Sequence, residues 1–246
     1  IDGISRSVRV FFRTTNAEQA NLSRYTTDSY GSALNYGVPI TEFNNVRVGG
    51  SFDNTKLKTT LFSAQEVHDF IAAHGDRYNT YNLNASWVHD TRNRSTLLAN
   101  KGTLQSFTAE VALPFSSLNY YKVNYRHQWL YPLSKDYTLS VEGQVGYGDG
   151  YSKSESLPFF ENYTAGGPHS VRGFKDNTLG PLDSNYRPLG GNLKVVGNLE
   201  LIIPVPFAAN VNSVRLSAFF DIGNVYGIHE NFEASALRYS TGVSAI

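Results

Sequence analysis

The sequence predicts an all-β chain, an antiparallel transmembrane β-barrel of up-and-down topology of which ten strands are present. Three observations predict it. Ten segments alternate apolar and polar side chains with a two-residue period. Most of them are long enough for the roughly 9–11 residues that a tilted strand needs to cross a bilayer, whereas soluble strands average nearer 5–6. Aromatic residues recur at segment ends (Tyr121, Tyr131, Tyr137, Tyr147), where interfacial girdles require them. A soluble β-sandwich also alternates, with its apolar face in the core. Strand length and the end-placed aromatics argue against it.

Taken in order, segments 4–14, 29–38, 43–53, 79–89 and 103–113 alternate more weakly than those after them. In 120–131, Tyr121, Val123, Tyr125, Trp129 and Tyr131 oppose Lys122, Asn124, Arg126 and Gln128. In 137–148, Tyr137, Leu139, Val141, Val145 and Tyr147 oppose Thr138, Ser140, Glu142 and Gln144. Segment 192–203 is the clearest. Leu193, Val195, Leu199, Leu201 and Ile203 share a face with Gly197, and Lys194, Asn198 and Glu200 lie on the other. In 213–226, Val214, Leu216, Ala218, Phe220 and Ile222 oppose Arg215, Ser217 and Asp221, and a weaker segment, 236–246, ends the chain.

The two longest connections, 54–78 and 149–191, fall on one side of such a sheet, which in outer-membrane barrels is the cell exterior. The turns 39–43 (Pro39), 132–136 (Pro132) and 204–212 (Pro204, Pro206) are then periplasmic, and proline suits them because it cannot donate to a ladder. A short turn at 114–118 and a long one at 90–102 depart from this sorting. Loop 54–78 reads as holding a short helix. Ser63 and Glu66 form a capping box, Gly75 suits its end, and Val67, Phe70 and Ile71 make an apolar face that packs on the helix's own loop.

Composition fits this class. Lys plus Arg equals Asp plus Glu at 21 each, so no basic field points to nucleic acid. Charged residues are 17% of the chain, while Tyr (16), Phe (15) and Gly (21) are frequent. Mean hydropathy is negative, and no run of about 18 apolar residues offers a membrane helix. Cysteine is absent, which excludes disulfides, thiolate metal sites and a cysteine nucleophile. The chain has no methionine and no signal peptide, so it reads as an internal piece of a longer exported protein.

Nothing in the sequence points to an enzyme, a metal or a cofactor. His68, His74, His89, His127, His169 and His229 lack metal-ligand spacing. No nucleophile elbow, phosphate loop or dinucleotide fingerprint occurs. Asp90, Asp149 or Asp221 could serve an outer-membrane hydrolase, but nothing places one with a serine and a histidine.

The informative stretch is 157–181, LPFFENYTAGGPHSVRGFKDNTLGP. It opens the longest loop yet carries Phe159, Phe160, Tyr163, Val171 and Phe174, so it packs against something, and in a wide barrel that is the polar inner wall. Arg172 would then need a partner, since an unpaired buried cation is costly. Glu200 and Asp221 lie on the inward faces of the next two strands, where an arginine fork bidentate to one with the other nearby would satisfy it. The other reading is a tight turn at Gly166–Gly167 and Gly173 with Arg172 solvated. Spacing alone leaves both open.

The run GGPHSVRGF at 166–174 resembles the VRGF loop motif of the BamA-type outer-membrane insertases and their secretion-transporter relatives. The flanks PFFENYTAGG and KDNTLGP resemble the same family, as do NLELIIPVPF at 198–207 and SVRLSAFFDIGNVY at 213–226. Weaker similarity runs through DGISRSVRVFF and SYGSALNYGVPITEFNNVRVG, so the likeness covers essentially the whole chain.

The resemblance implies a 16-stranded barrel in the outer membrane of a Gram-negative bacterium, with residues 1–246 supplying strands five to fourteen. It implies that the VRGF loop, within 149–191, folds into the lumen. There Val171, Arg172, Gly173 and Phe174 form a structural latch with Glu200 and Asp221 as partners. The periplasmic POTRA domains, the first four strands and the last two would lie outside this sequence, and Ile246 is not the terminal aromatic of a complete barrel. The family opens a weak seam between first and last strands and templates a substrate strand by β-augmentation. Implied partners are outer-membrane lipids, nascent outer-membrane proteins and accessory BAM lipoproteins, the last mostly through POTRA domains. The expected function is the central barrel of an assembly machinery, without covalent chemistry. A two-partner secretion transporter of the same superfamily and a diffusion porin are the alternatives. A porin predicts an unplugged lumen.

Overall fold

A computed structural model describes residues 3–93, 99–203, 216–228, 230 and 232–245. Among the described residues, ten strands form a single antiparallel sheet in which each pairs with its sequence neighbours, in the order β1 to β10. They are β1 (Ser5–Asn16), β2 (Thr26–Pro39), β3 (Asn44–Lys58), β4 (Arg77–Asp90), β5 (Gly102–Ala112), β6 (Tyr120–Pro132), β7 (Thr138–Gly150), β8 (Leu193–Ile203), β9 (Leu216–Tyr226) and β10 (Arg238–Ala245). The sheet is open, with β1 and β10 as its edges. The turn expected at 204–212, the start of the segment expected from 213, and His229 lie outside the described residues, as do 94–98 within the long turn at 90–102.

The sheet is inside out relative to a soluble domain. On β7, Thr138 and Ser140 are 6% and 5% exposed, while Val141 and Val145 on the opposite face are 37% and 47% exposed. Leu199 of β8 lies directly opposite Val141 on one side and Phe220 on the other, and both Leu199 and Phe220 are exposed. Such an outward aliphatic belt is stable only against lipid. No helix among the described residues is long and apolar enough to cross a membrane; the strands do so.

Buried apolar groups collect where loops meet the inner wall. One cluster joins Leu57, Tyr78, Leu118 and Tyr120 of the wall to Val67 and to Leu157 and Phe159 of the long loop. A second joins Ala165, Val171 and Leu179 of that loop to Val196 of β8 and Val225 of β9.

Helix α1 (Gln65–His74) occupies the β3–β4 loop and ends at Gly75, whose φ of 81° favours glycine. The expected capping box does not form. Ala64 is the N-cap, with no side-chain cap bond. The Ser63 hydroxyl instead takes the Thr60 N–H and donates to the Arg24 carbonyl, while the Glu66 carboxylate accepts from Ser184 of the long loop. The Ser184 hydroxyl also receives the Gln65 N–H, so the cap comes from a distant segment. Nor does the apolar face pack on its own loop alone. Phe70 stands 5.2 Å from Phe159 and 5.9 Å from Phe160, both on the long loop.

Candidate functional site

The connection from β7 to β8, residues 151–192, folds onto the inward face of the sheet. Close approach is possible because β7 is thin there. A Cβ on Gly146 would lie 2.8 Å from the Tyr163 ring. The Tyr163 hydroxyl lies 3.1 Å from the Val123 carbonyl and 3.3 Å from that of Tyr147, and burial pushes its pKa up to about 12. Lys122 on β6 holds the loop further along, donating to the Glu161 carbonyl at 2.7 Å and pairing with its carboxylate at 3.0 Å.

The turn read at Gly166–Gly167 and Gly173 is present, all three residues having positive φ. It presents Arg172 to the wall. The Arg172 Nε and backbone N–H donate to Asp221 Oδ2 at 2.7 and 3.0 Å, and Nη2 donates to Oδ1 at 2.8 Å. Nη1 donates to Glu200 Oε1 at 2.9 Å. Asn198 adds an N–H to Asp221 Oδ1 at 2.8 Å and another contact to the Ser170 carbonyl at 2.6 Å. All four acceptor positions of the Asp221 carboxylate are therefore filled, which is what a side chain with 0% exposure requires. The guanidinium plane lies 3.8 Å from the Phe219 ring centroid, in cation–π contact. Hydrogen bonds donated to Asp221 foremost hold the Arg172 pKa above its ordinary value, so the group is permanently charged. Ser217 donates to the same Glu200 oxygen.

The structure thus brings Arg172 together with Glu200 and Asp221. Val171 is fully buried beside Val196 and Val225, Phe174 packs at the edge of that cluster, and Gly173 supplies a φ of 87°. Sequence reasoning missed Asn198, Phe219 and Ser217 as members. Asn198 and Ser217 carried a signal in their inward parity, whereas Phe219 is an aromatic on an inner wall, whose ring contact parity does not mark out.

Among the described residues, Asp90 is taken by Arg92 and Asp149 by the Tyr147 hydroxyl, and no group of metal-ligating side chains converges. Beyond the clasp, the loop crosses to the far wall. Asn177 donates to the Ala20 carbonyl at 3.0 Å, Arg187 donates to the Leu22 carbonyl at 3.0 Å, and the Ser23 N–H reaches Pro188 at 2.9 Å.

A ten-stranded membrane sheet with an inward loop clasped through VRGF has a match among known families, since residues 2–245 fit the Omp85 superfamily domain. The chain belongs to the Omp85 superfamily. Over 238 residues it is 34% identical to the outer membrane protein assembly factor BamA of Neisseria meningitidis serogroup B, covering 92% of this chain and 30% of that protein. It is 30% identical over 181 residues to the sorting and assembly machinery component 50 homolog of Mus musculus, covering 67% of this chain and 37% of that protein. The crystal structure of BamA from Haemophilus ducreyi lacking POTRA domains 1–3 superposes with a TM-score of 0.86 at 24% identity, over 99% of this chain and 53% of that one. The chain spans about a third of the length of these curated relatives. As an Omp85 barrel segment of bacterial type, its setting is the outer membrane.

Proposed function

We propose that this chain is the wall and internal latch of an Omp85 insertase, a barrel that folds other outer-membrane proteins into the membrane without covalent chemistry. The carrying observation is the clasp of Arg172 on Asp221 and Glu200, which fixes the 151–192 loop against the inner wall. A loop so held supports a plugged interior, as expected of an insertase and not of a diffusion porin. Residues 1–246 correspond on this reading to strands five to fourteen of a 16-stranded barrel. The edges β1 and β10 pair with further strands, because open edges do not survive in lipid. Val171, Arg172, Gly173 and Phe174 form the latch.

The free energy for insertion comes from the client's own burial and strand pairing. Nascent outer-membrane proteins are the substrates, surrounding lipids the solvent, and accessory lipoproteins bind through periplasmic domains. The similarity to an outer membrane protein assembly factor of Neisseria meningitidis and a sorting and assembly machinery component of Mus musculus favours an insertase over a two-partner secretion transporter. The test is to reconstitute the full-length protein in vesicles and follow folding of an added unfolded barrel by its heat-modifiable mobility. Faster folding than in protein-free vesicles is expected, with loss of that gain for Arg172→Ala. Equal rates with and without the protein would overturn the proposal.

A further inference from the structure

The outward face of β1–β4 is graded toward its long-loop end. Directly opposed residues on the four strands form cross-strand rows. Val8, Leu34, Gly50 and Leu83 make an aliphatic row, and Val10, Ser32, Phe52 and Tyr81 make the next. In that second row the Phe52 and Tyr81 rings stand 4.9 Å apart, with Phe115 5.0 Å beyond Tyr81. Phe12, Tyr30, Asn54 and Asn79 follow, and Asn54 donates to Asn79 at 2.6 Å. Above them lie Thr14, Asp28, Lys56 and Arg77, with Lys58 two residues further along the same face.

Lys58 pairs with Asp28 at 2.5 Å, and Thr14 donates to the other carboxylate oxygen at 2.8 Å. Three cations against one acid leave two positive charges, and neither Lys56 nor Arg77 has an ion-pair partner among the described residues. They are also directly opposed across the β3–β4 ladder, an arrangement of like charges that destabilises a sheet unless an anion bridges them. The described outward positions at this end of β6, β7 and β9 carry Tyr121, Tyr147, Asp149, Asn224 and Tyr226, with no cation among them.

Rows are two residues apart. At about 3.4 Å per residue on strands tilted by roughly 40°, the Lys56–Arg77 row stands about 10 Å beyond the Phe52–Tyr81 pair. Aromatic belts mark the edge of the hydrocarbon, so long basic side chains that reach back toward it lie among headgroups.

We infer that Lys56, Arg77 and Lys58 bind the phosphate of a phosphorylated glycolipid in the outer leaflet. Arg77 offers a planar fork and the lysines point charges to one phosphomonoester. The Asn54–Asn79 amides face the sugar, and acyl chains run down past Phe52, Leu34 and Leu83. This continuous apolar track below the cations fits a lipid, where a free phosphate would leave it without a role. The inference rests on the outer-membrane setting and not on the insertase reading.

The test uses the full-length protein in phosphatidylcholine nanodiscs doped with diphosphorylated lipid A, dephosphorylated lipid A or phosphatidylglycerol, with retained lipid counted by native mass spectrometry. Retention of the phosphorylated glycolipid is expected to fall on the order of tenfold in the Lys56→Gln, Arg77→Gln double variant. It should return in the charge-keeping Lys56→Arg, Arg77→Lys variant and stay unchanged in Arg6→Gln, which lies on the same face at the opposite end of β1. The double variant relieves a like-charge pair, so unaltered heat-modifiability will separate lost binding from lost folding. Equal retention by variant and parent would overturn the assignment. So would equal retention of dephosphorylated lipid A or phosphatidylglycerol, or displacement by equimolar inorganic phosphate. Client insertion is not read, so failure here and failure of the insertase reading are distinguishable.

Discussion

Arg172 covers Asp221 so completely that the carboxylate has no exposed surface: backbone N–H, Nε and Nη2 of one residue all converge on it. Removing the guanidinium would leave that acid buried with only Asn198 and the backbone N–H of residue 172 as donors, two of its four. Arg172→Ala should therefore cost about 3–5 kcal/mol of full-length barrel stability, the usual result of breaking a buried pair. Arg172→Lys should recover little, since a lysine cannot supply the planar fork. Glu200→Ala should cost less, because Glu200 remains 21% exposed. Urea unfolding of the reconstituted protein, followed by heat-modifiability, will order the three. A Glu200→Ala loss equal to that of Arg172→Ala would contradict this division.

The strands were legible in the sequence because lipid-facing rows are chemically uniform. Leu193, Val195, Leu199 and Leu201 leave β8 no other register. Parity likewise put Glu200 and Asp221 on the inward face. It could not reveal that Phe219, beside the outward Phe220, places its ring under the guanidinium, since aromatics on an inner wall read as exceptions. The α1 cap failed for a different reason. Ser63 and Glu66 have the right spacing, but both are claimed by tertiary partners, Arg24 and Ser184. Local rules lose where a distant loop lands, and residues 151–192 land on α1 and on the loop end of the inner wall.

Gly146 and Tyr163 give a test of that landing. With a Cβ only 2.8 Å from the Tyr163 ring, and 3.0 Å from Asn124 Oδ1, any side chain at 146 must push the ring off the wall. Gly146→Val should cost roughly 1–3 kcal/mol by overpacking. It should also expose residues near 163 to added protease on intact cells. Tyr163→Phe, which loses only the hydroxyl contacts, should be nicked far less. Equal protection of Gly146→Val and parent would show that the loop does not depend on this contact.

Leu199 tests the orientation of the sheet. It faces outward between Val141 and Phe220, whereas Asn198 beside it faces the clasp. Leu199→Arg should cost about 2–4 kcal/mol in a bilayer, the penalty for arginine on the lipid face near the midplane. Equilibrium folding of the full-length protein into vesicles measures it. A neutral result would mean that this face meets water or protein.

Asn177 governs the far attachment of the loop. Its φ is 61°, a left-handed conformation that costs most residues but which asparagine and glycine tolerate. Its side chain accepts from Thr164 at 2.6 Å and donates to the Ala20 carbonyl at 3.0 Å, tying the loop to the β1–β2 connection. Asn177→Ala loses both bonds and adds backbone strain, whereas Asn177→Gly loses the bonds alone. Because the Arg172 clasp lies on the other wall, neither change should alter heat-modifiability much. Amide hydrogen exchange over 176–189 should instead rise in both, and roughly tenfold more in Asn177→Ala for the extra ~1–2 kcal/mol of strain. Exchange that rises equally in the two would assign the tie to the hydrogen bonds alone. No rise in either would mean that the other ties of this half, among them Asn21 to the Asp176 carbonyl, Ser184 to Glu66 and Arg187 to the Leu22 carbonyl, hold it without Asn177.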